Sequence, residues 1–199
     1  MTKIKLCGMM RPADVIAAEE LGADYIGFVL TAGFRRSLTL EAFLELESYT
    51  LNGSAKKVGV FVNEPIENIA GLYADKLDLI QLHGSEDGEY IRSLREQTGK
   101  PIIKAFTVRS EADIEAAGKS TADYVLLDSG TGTGKTFDHS LIKSIERPFF
   151  LAGGLNAENV GAAVKALNPF AVDASSGIET DGIKDKNKMA AFVSAVRRG

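Results

Sequence analysis

Two side chains at the ends of apolar runs have the chemistry for proton transfer. Cys7 closes the run from Ile4 and is followed by Gly8; Asp128 closes Tyr124 to Leu127 and opens into a loop with Gly130, Gly132 and Gly134. A thiolate removes a proton and a carboxylic acid donates one, so the pair suits rearrangement of a carbon chain held between them. A carboxyl that must hold its proton wants cover, and a loop closing over a ligand would provide it. Each residue also has a plainer use. A cysteine can be a small buried hydrophobe, an aspartate after a strand can cap a helix, and a glycine-rich loop can be a tight surface turn.

Other groups stand ready around this pair. Arg36 offers a planar fork for a carboxylate, or is a solvated loop arginine. His83, after the run Leu77 to Leu82, fits a positioning role better than that of base. The segments LAGGL (Leu151 to Leu155) and DASSGIE (Asp173 to Glu179) combine glycines with Asp173, Ser175 and Ser176. Gly154 and Gly177 let backbone approach closely, and the serines present amides and hydroxyls to an anion. The Gly134-Lys135-Thr136 triplet fits a nucleotide P-loop poorly. That loop needs glycine six residues before the lysine, where Ser129 stands, and an apolar helix afterwards, where Phe137, Asp138 and His139 stand.

Composition narrows the classes. The 199 residues are 45% hydrophobic and 25% charged, with a net charge of −4 and no tryptophan. Scattered lysines and arginines make no basic stripe for nucleic acid and no polybasic membrane anchor. One cysteine allows no internal disulfide, which points to a reducing, cytoplasmic setting. No apolar run reaches the length of a spanning helix, and no stretch has the pattern of a signal peptide.

The elements that must position these groups follow in order. Apolar runs at Ile4–Cys7, Tyr25–Leu30, Lys57–Val62, Leu77–Leu82, Ile102–Phe106, Tyr124–Leu127, Phe149–Ala152 and Phe170–Ala174 predict strands. Between them, amphipathic stretches predict helices over Pro12–Leu21, Leu40–Tyr49, Ile66–Tyr73, Tyr90–Glu96, Ala112–Ala117, a short segment near Leu141–Ile145, Ala157–Leu167 and Asn187–Arg197. Eight strand–helix units exceed a five-stranded flavodoxin-like sheet, and no linker divides them. They predict an α/β fold, a single-domain (β/α)8 barrel over residues 1–199, with a doubly wound open sheet as the alternative. Strand ends then line the mouth: Cys7, Asn63, His83, Thr107, Asp128, Gly153 with Gly154, and Ser175 to Gly177. Phosphate fits between the loops after the seventh and eighth strands, and Cys7 and Asp128 flank it, since strands six, seven, eight and one are neighbours in a closed barrel. Asn156 is placed to cap the seventh helix.

The blocks KIKLCGMMRPADVIAAEELGADYIGFVL, VGVFVNE at Val58, IQLHGSE at Ile80, LLDSGTGTGKTFD at Leu126, LAGGLNAENV at Leu151 and VDASSGIETDGIKD at Val172 span nearly the whole chain. Together they resemble the phosphoribosylanthranilate isomerases of tryptophan biosynthesis. The resemblance implies an Amadori rearrangement of N-(5-phosphoribosyl)anthranilate without cofactor or metal. It implies Cys7 as general base, Asp128 as general acid, Arg36 at the anthranilate carboxylate, and Gly154 with Ser175–Gly177 at the phosphate. Arg35 is a neighbouring alternative to Arg36, because the loop Thr31–Arg35 lacks the family's usual proline and serine. His139 stands where tryptophan is common, and Met9 and Met10 replace the usual residues after the glycine. A barrel lyase or synthase of the same pathway would want a lysine or two glutamates in the mouth, and the strand ends supply neither. A nucleotide-binding module would instead take ATP at Gly134–Thr136.

Overall fold

The computed structural model describes residues 1–50, 54–128, 142 and 145–199. Eight parallel strands close on one another: β1 (Lys3–Cys7), β2 (Tyr25–Val29), β3 (Lys56–Phe61), β4 (Leu79–Leu82), β5 (Ile102–Thr107), β6 (Tyr124–Asp128), β7 (Phe149–Ala152) and β8 (Ala171–Ala174). Closure comes through β8 and β1, with Asp173 opposite Lys5 and Ala174 opposite Leu6. The open-sheet alternative is thereby removed. Around the barrel lie α1 (Pro12–Glu20), α2 (Leu40–Glu47), α3 (Ile66–Asn68), α4 (Gly88–Thr98), α5 (Glu111–Gly118), α6 (Val160–Leu167) and α7 (Lys186–Arg198). The glycine loop after Asp128, His139 and most of the short helix expected near 141–145 lie outside the described residues.

Parallel strands buried on both faces require two cores, and both are present. Ile4, Leu6, Ile26, Phe28, Phe61, Leu82 and Leu127 face outward to pack beneath the helices. Tyr25, Val58, Leu79, Ile103, Ala105, Leu126, Phe150, Ala152 and Ala171 face inward. Period-two alternation therefore carries Lys5 and Cys7, Leu126 and Asp128, and Ala171 and Asp173 to the inside. Aromatic rings from strand starts plug the lower end: Tyr25 and Phe150 meet edge to face at 5.4 Å, and Tyr124 stacks on Phe170 at 5.0 Å. The polar inward residues are left at the upper end.

One device recurs beneath the barrel. Asp24, Asp78 and Asp123 precede β2, β4 and β6, and each accepts a backbone N–H from the first or second residue of the preceding odd strand, at Ile4, Lys57 and Ile102. Those N–H groups have no ladder partner there, so each carboxylate satisfies a donor that burial would otherwise leave costly.

Three elements differ from expectation. After α3 the chain widens into a π-turn over Ile69–Tyr73 that contains Gly71, a poor α-helix former. α6 starts at Val160 because residues 156–159 form a turn, in which Asn156 Oδ1 accepts from the N–H groups of Glu158 and Asn159 while Asn159 Oδ1 accepts from that of Asn156. Between β8 and α7 lies an unexpected antiparallel hairpin, β9 (Glu179–Thr180) and β10 (Ile183–Lys184). Its turn residues Asp181 and Gly182 both have positive φ, 51° and 81°, as a tight two-residue hairpin turn requires.

Candidate active site

The inward residues at the upper strand ends surround a cavity of about 420 Å³ lined by Cys7, Arg36, Gln81, His83, Thr107, Asp128, Gly153, Gly154, Asp173, Ser175, Ser176 and Gly177. Cys7 and Asp128 thus border one space with the candidate binding residues Arg36, His83, Gly154, Asp173 and Ser175–Gly177. Asn63 does not border it. Its left-handed backbone, φ 50°, turns the side chain to accept from the Ser85 amide and hydroxyl, tying together the loops after β3 and β4. Arg35 lines a separate recess with Arg11, Gly182 and Ile183, which leaves Arg36 as the arginine of the central cavity. A larger depression, on the outer wall between α5 and Ile145–Arg147, receives no strand end.

Cys7 is buried, and two glycines make room around it. A Cβ on Gly27, its register partner in β2, would stand 2.6 Å from the Cys7 sulfur; one on Gly8, whose φ is 78°, would stand 2.4 Å from the Arg36 side chain. The Ser175 hydroxyl donates to the Cys7 carbonyl at 3.1 Å, joining the end of β1 to the loop after β8.

Beneath Cys7 on the same strand lies a lysine that strand ends alone do not reveal. Lys5 is fully buried and pairs with both oxygens of Asp173, at 3.0 and 2.9 Å. Burial works against its charge, but the Asp173 carboxylate and the Cys7 sulfur outweigh burial, so Lys5 holds its proton above the ordinary lysine value. Lys184 is pulled down by burial, against its pairing with Glu179 and its interaction with Cys7. Two ammonium groups are thus in reach of the charge that a thiolate at Cys7 carries.

On the opposite side, His83 Nε2 lies 3.6 Å from Asp128 Oδ2, and its Nδ1 lies 3.4 Å from Gln81 Nε2. Burial lowers the pKa of His83, with the nearby Asp128 and Asp173 opposing, so the imidazole is neutral at neutral pH. A neutral ring can position or hydrogen-bond; it adds no positive charge beside Asp128.

The loops after β7 and β8 meet backbone to backbone. Gly153 and Gly154 take φ of 94° and 65°, a region that favours glycine. A Cβ on Gly177 would stand 2.0 Å from the Leu155 carbonyl oxygen. The two loops therefore touch backbone to backbone at the edge of the cavity.

The unexpected hairpin supplies a further piece. Glu179 of β9, nearly fully buried, accepts from Arg36 Nε at 2.6 Å and Nη2 at 2.8 Å, from Arg35 Nη2 at 2.5 Å and from Lys184 Nζ at 2.6 Å. Burial alone would raise its pKa, but the Arg36 and Lys184 contacts prevail and bring it down to about 2. A carboxyl whose pKa falls on folding adds stability above its unfolded value and loses it as pH drops through the folded one. In urea unfolding, the stability gap between the parent and Glu179→Gln should be constant above about pH 4.5 and shrink towards pH 2. A gap that does not change over that window would show the carboxylate to be unpaired.

Sequence reasoning missed Lys5, Gln81, Glu179 and Lys184. The first two were visible as polar residues inside apolar strands, and the Asp181-Gly182 pair between Glu179-Thr180 and Ile183-Lys184 was a hairpin signal. Among the described residues no group of histidine, cysteine or acidic side chains has the arrangement to hold a metal ion, and no helix is long and apolar enough to cross a membrane.

The family model of N-(5'-phosphoribosyl)anthranilate (PRA) isomerase matches residues 4–195. The N-(5'-phosphoribosyl)anthranilate isomerase of Endomicrobium trichonymphae is 45% identical, over 99% of each chain, and that of Caldanaerobacter subterraneus subsp. tengcongensis is 42% identical, over 99% of this chain and 98% of the relative. The crystal structure of phosphoribosyl anthranilate isomerase from Thermotoga maritima is 36% identical, superposes with a TM-score of 0.89 and covers 100% of both chains. Another crystal structure of such an isomerase, in complex with reduced 1-(o-carboxyphenylamino)-1-deoxyribulose 5-phosphate, is 35% identical, with a TM-score of 0.88 and 100% coverage of both chains. The chain belongs to the phosphoribosylanthranilate isomerase family.

Proposed function

We propose that this chain, as one barrel domain over residues 1–199, converts N-(5-phosphoribosyl)anthranilate to 1-(2-carboxyphenylamino)-1-deoxyribulose 5-phosphate in tryptophan biosynthesis, using its own acid and base and no cofactor. The observation that carries this reading is the single cavity that Cys7 and Asp128 share with both glycine loops. The 5'-phosphate binds to backbone amides around Gly154 and Ser175–Gly177. The anthranilate carboxylate meets Arg36. Asp173, held by Lys5, and neutral His83 hydrogen-bond to the sugar hydroxyls.

With the sugar so held, Asp128 donates its proton to the ribose ring oxygen, and the C1–O bond breaks as nitrogen's lone pair forms the iminium. The cation acidifies the hydrogen on C2. The Cys7 thiolate takes that proton, and the electrons of the C–H bond form the C1=C2 enolamine. Protonation at C1 and loss of the hydroxyl proton at C2 give the aminoketose. A thiol that serves as base must stay reduced, which fits a cytoplasmic enzyme. A chain of net charge −4 has no call for a nucleic-acid partner.

The phosphate assignment has its own test. Gly177→Ala must push the two loops apart, so affinity for a phosphorylated product analogue should fall about tenfold, about 1.4 kcal/mol, by calorimetry. Unchanged affinity would place the phosphate elsewhere. An assay for loss of anthranilate-linked fluorescence, with the parent and Cys7→Ser side by side, tests the reaction itself; equal turnover would refute the assignment of Cys7.

A further inference from the structure

Arginine can meet a carboxylate with either of two edges, the side formed by Nε and one amino group or the end formed by both amino groups. In this structure the side edge of Arg36 is already taken, with Nε and Nη2 on the two oxygens of Glu179 at 2.6 and 2.8 Å. Among the described residues nothing bonds to the end edge, Nη1 with the outer N–H of Nη2, and Arg36 borders the cavity that holds Cys7 and Asp128. Glu179 is itself tied down on several sides. It sits in a hairpin whose partner strand provides Lys184, and the Lys184 ammonium bonds to Glu179 at 2.6 Å and to the Ser175 carbonyl at 3.0 Å. Arg35 bonds to it from the outer side.

We infer that Glu179 is a positioning residue for substrate recognition: it clamps the side edge of Arg36 so that the arginine presents its end edge, in a fixed plane, to the carboxylate of an aromatic amine substrate. This rests on the reading of Arg36 given above. Charge leaves room for a second carboxylate, and any weakening in Glu179→Gln must then come from lost geometry, since that variant adds positive charge to the cluster. Arg35, Arg36 and Lys184 share one carboxylate, so the cluster keeps an excess of positive charge where a second anion arrives. A planar guanidinium held by one carboxylate loses less freedom on binding another, which is how pre-organisation raises affinity.

The test compares two stable ligands, the reduced 1-(o-carboxyphenylamino)-1-deoxyribulose 5-phosphate and its phenylamino counterpart without the carboxyl. Calorimetry gives the affinity ratio of the two for each variant. Glu179→Gln should weaken the carboxylated ligand about tenfold and the other by less than about twofold. Glu179→Asp withdraws the charge by one methylene and should move the ratio the same way, which keeps the test available if the glutamine variant does not fold. Lys184→Met loosens the hairpin and removes one positive charge but leaves the side edge of Arg36 on Glu179, so it should change the ratio by less than Glu179→Gln does. Equal weakening of both ligands in Glu179→Gln, no weakening of either, or a ratio change in Lys184→Met as large as that in Glu179→Gln would overturn the inference. Arg36→Met separates the two claims: a parental ratio in that variant would refute the carboxylate reading of Arg36 itself.

Discussion

Replacing Cys7 by alanine, or Asp128 by asparagine, should lower kcat by about 10² to 10⁴-fold each while leaving the affinity for a product analogue within a few-fold of the parent, because general acid and general base groups contribute about that much apiece. The reason for expecting kcat rather than KM to move is positional. In the proposed binding mode phosphate and carboxylate contacts come from Gly154, Ser175–Gly177 and Arg36, so neither variant removes an anchor. The two variants should also differ in character. Asparagine keeps the shape of Asp128 but cannot deliver a proton to the ring oxygen, so ring opening becomes limiting. Alanine at Cys7 leaves ring opening possible and stops the chain of events at the iminium, which should exchange no C2 hydrogen with solvent. Steady-state fluorescence with calorimetry on the same preparations checks this. A variant that retains parental kcat removes its residue from the mechanism, and a large KM change with kcat unchanged would make it a binding residue.

The second large effect concerns stability. Lys5→Met should cost about 3 to 5 kcal/mol, the usual penalty for removing one partner of a buried ion pair. Lys5 has no exposed surface, and the side chain of Asp173 retains only 10% exposure, so the remaining carboxylate would recover little of the lost interaction from water in the cavity. The cost comes from stranding that carboxylate. Lys5→Met combined with Asp173→Leu, which removes both charges, should therefore recover most of the loss, although it abolishes a proposed sugar contact. Urea unfolding measures this as a lower midpoint at unchanged slope for the single variant and a near-parental midpoint for the double variant. A single variant within about 1 kcal/mol of the parent would mean that water reaches the pair.

How much of this could be read from residues alone depended on length and period. Eight apolar runs announced eight parallel strands, since a strand covered on both faces must be apolar throughout, and where a run ended in a polar residue it usually marked the mouth. Cys7, His83, Thr107 and Asp128 were legible for that reason. Asp173 and Lys5 show the limit. They lie within strands, each appears as a lone charge in an apolar run, and only the register that sets Asp173 against Lys5 shows that the charges cancel. The β9–β10 hairpin escaped because two-residue strands have no periodicity to detect. Its consequence is large, because Glu179 and Lys184 connect the arginine of the cavity to the Ser175 turn. The aspartates at 24, 78 and 123 form a repeat that is simple once seen, but it satisfies backbone donors and says nothing about chemistry. Arg36 over Arg35 could not be settled by spacing, since adjacent residues in an irregular loop can face different recesses, as these do.

The most direct test is a crystal structure of this protein with the reduced 1-(o-carboxyphenylamino)-1-deoxyribulose 5-phosphate bound. Proton removal by Cys7 and donation by Asp128 require the phosphate on the Gly154 and Ser175–Gly177 loops, the Cys7 sulfur beside C2, and the Asp128 carboxyl beside the former ring oxygen from the other side of the sugar. A ligand seated with both groups against the same end of the sugar, or with its phosphate away from those loops, would contradict the proposed chemistry.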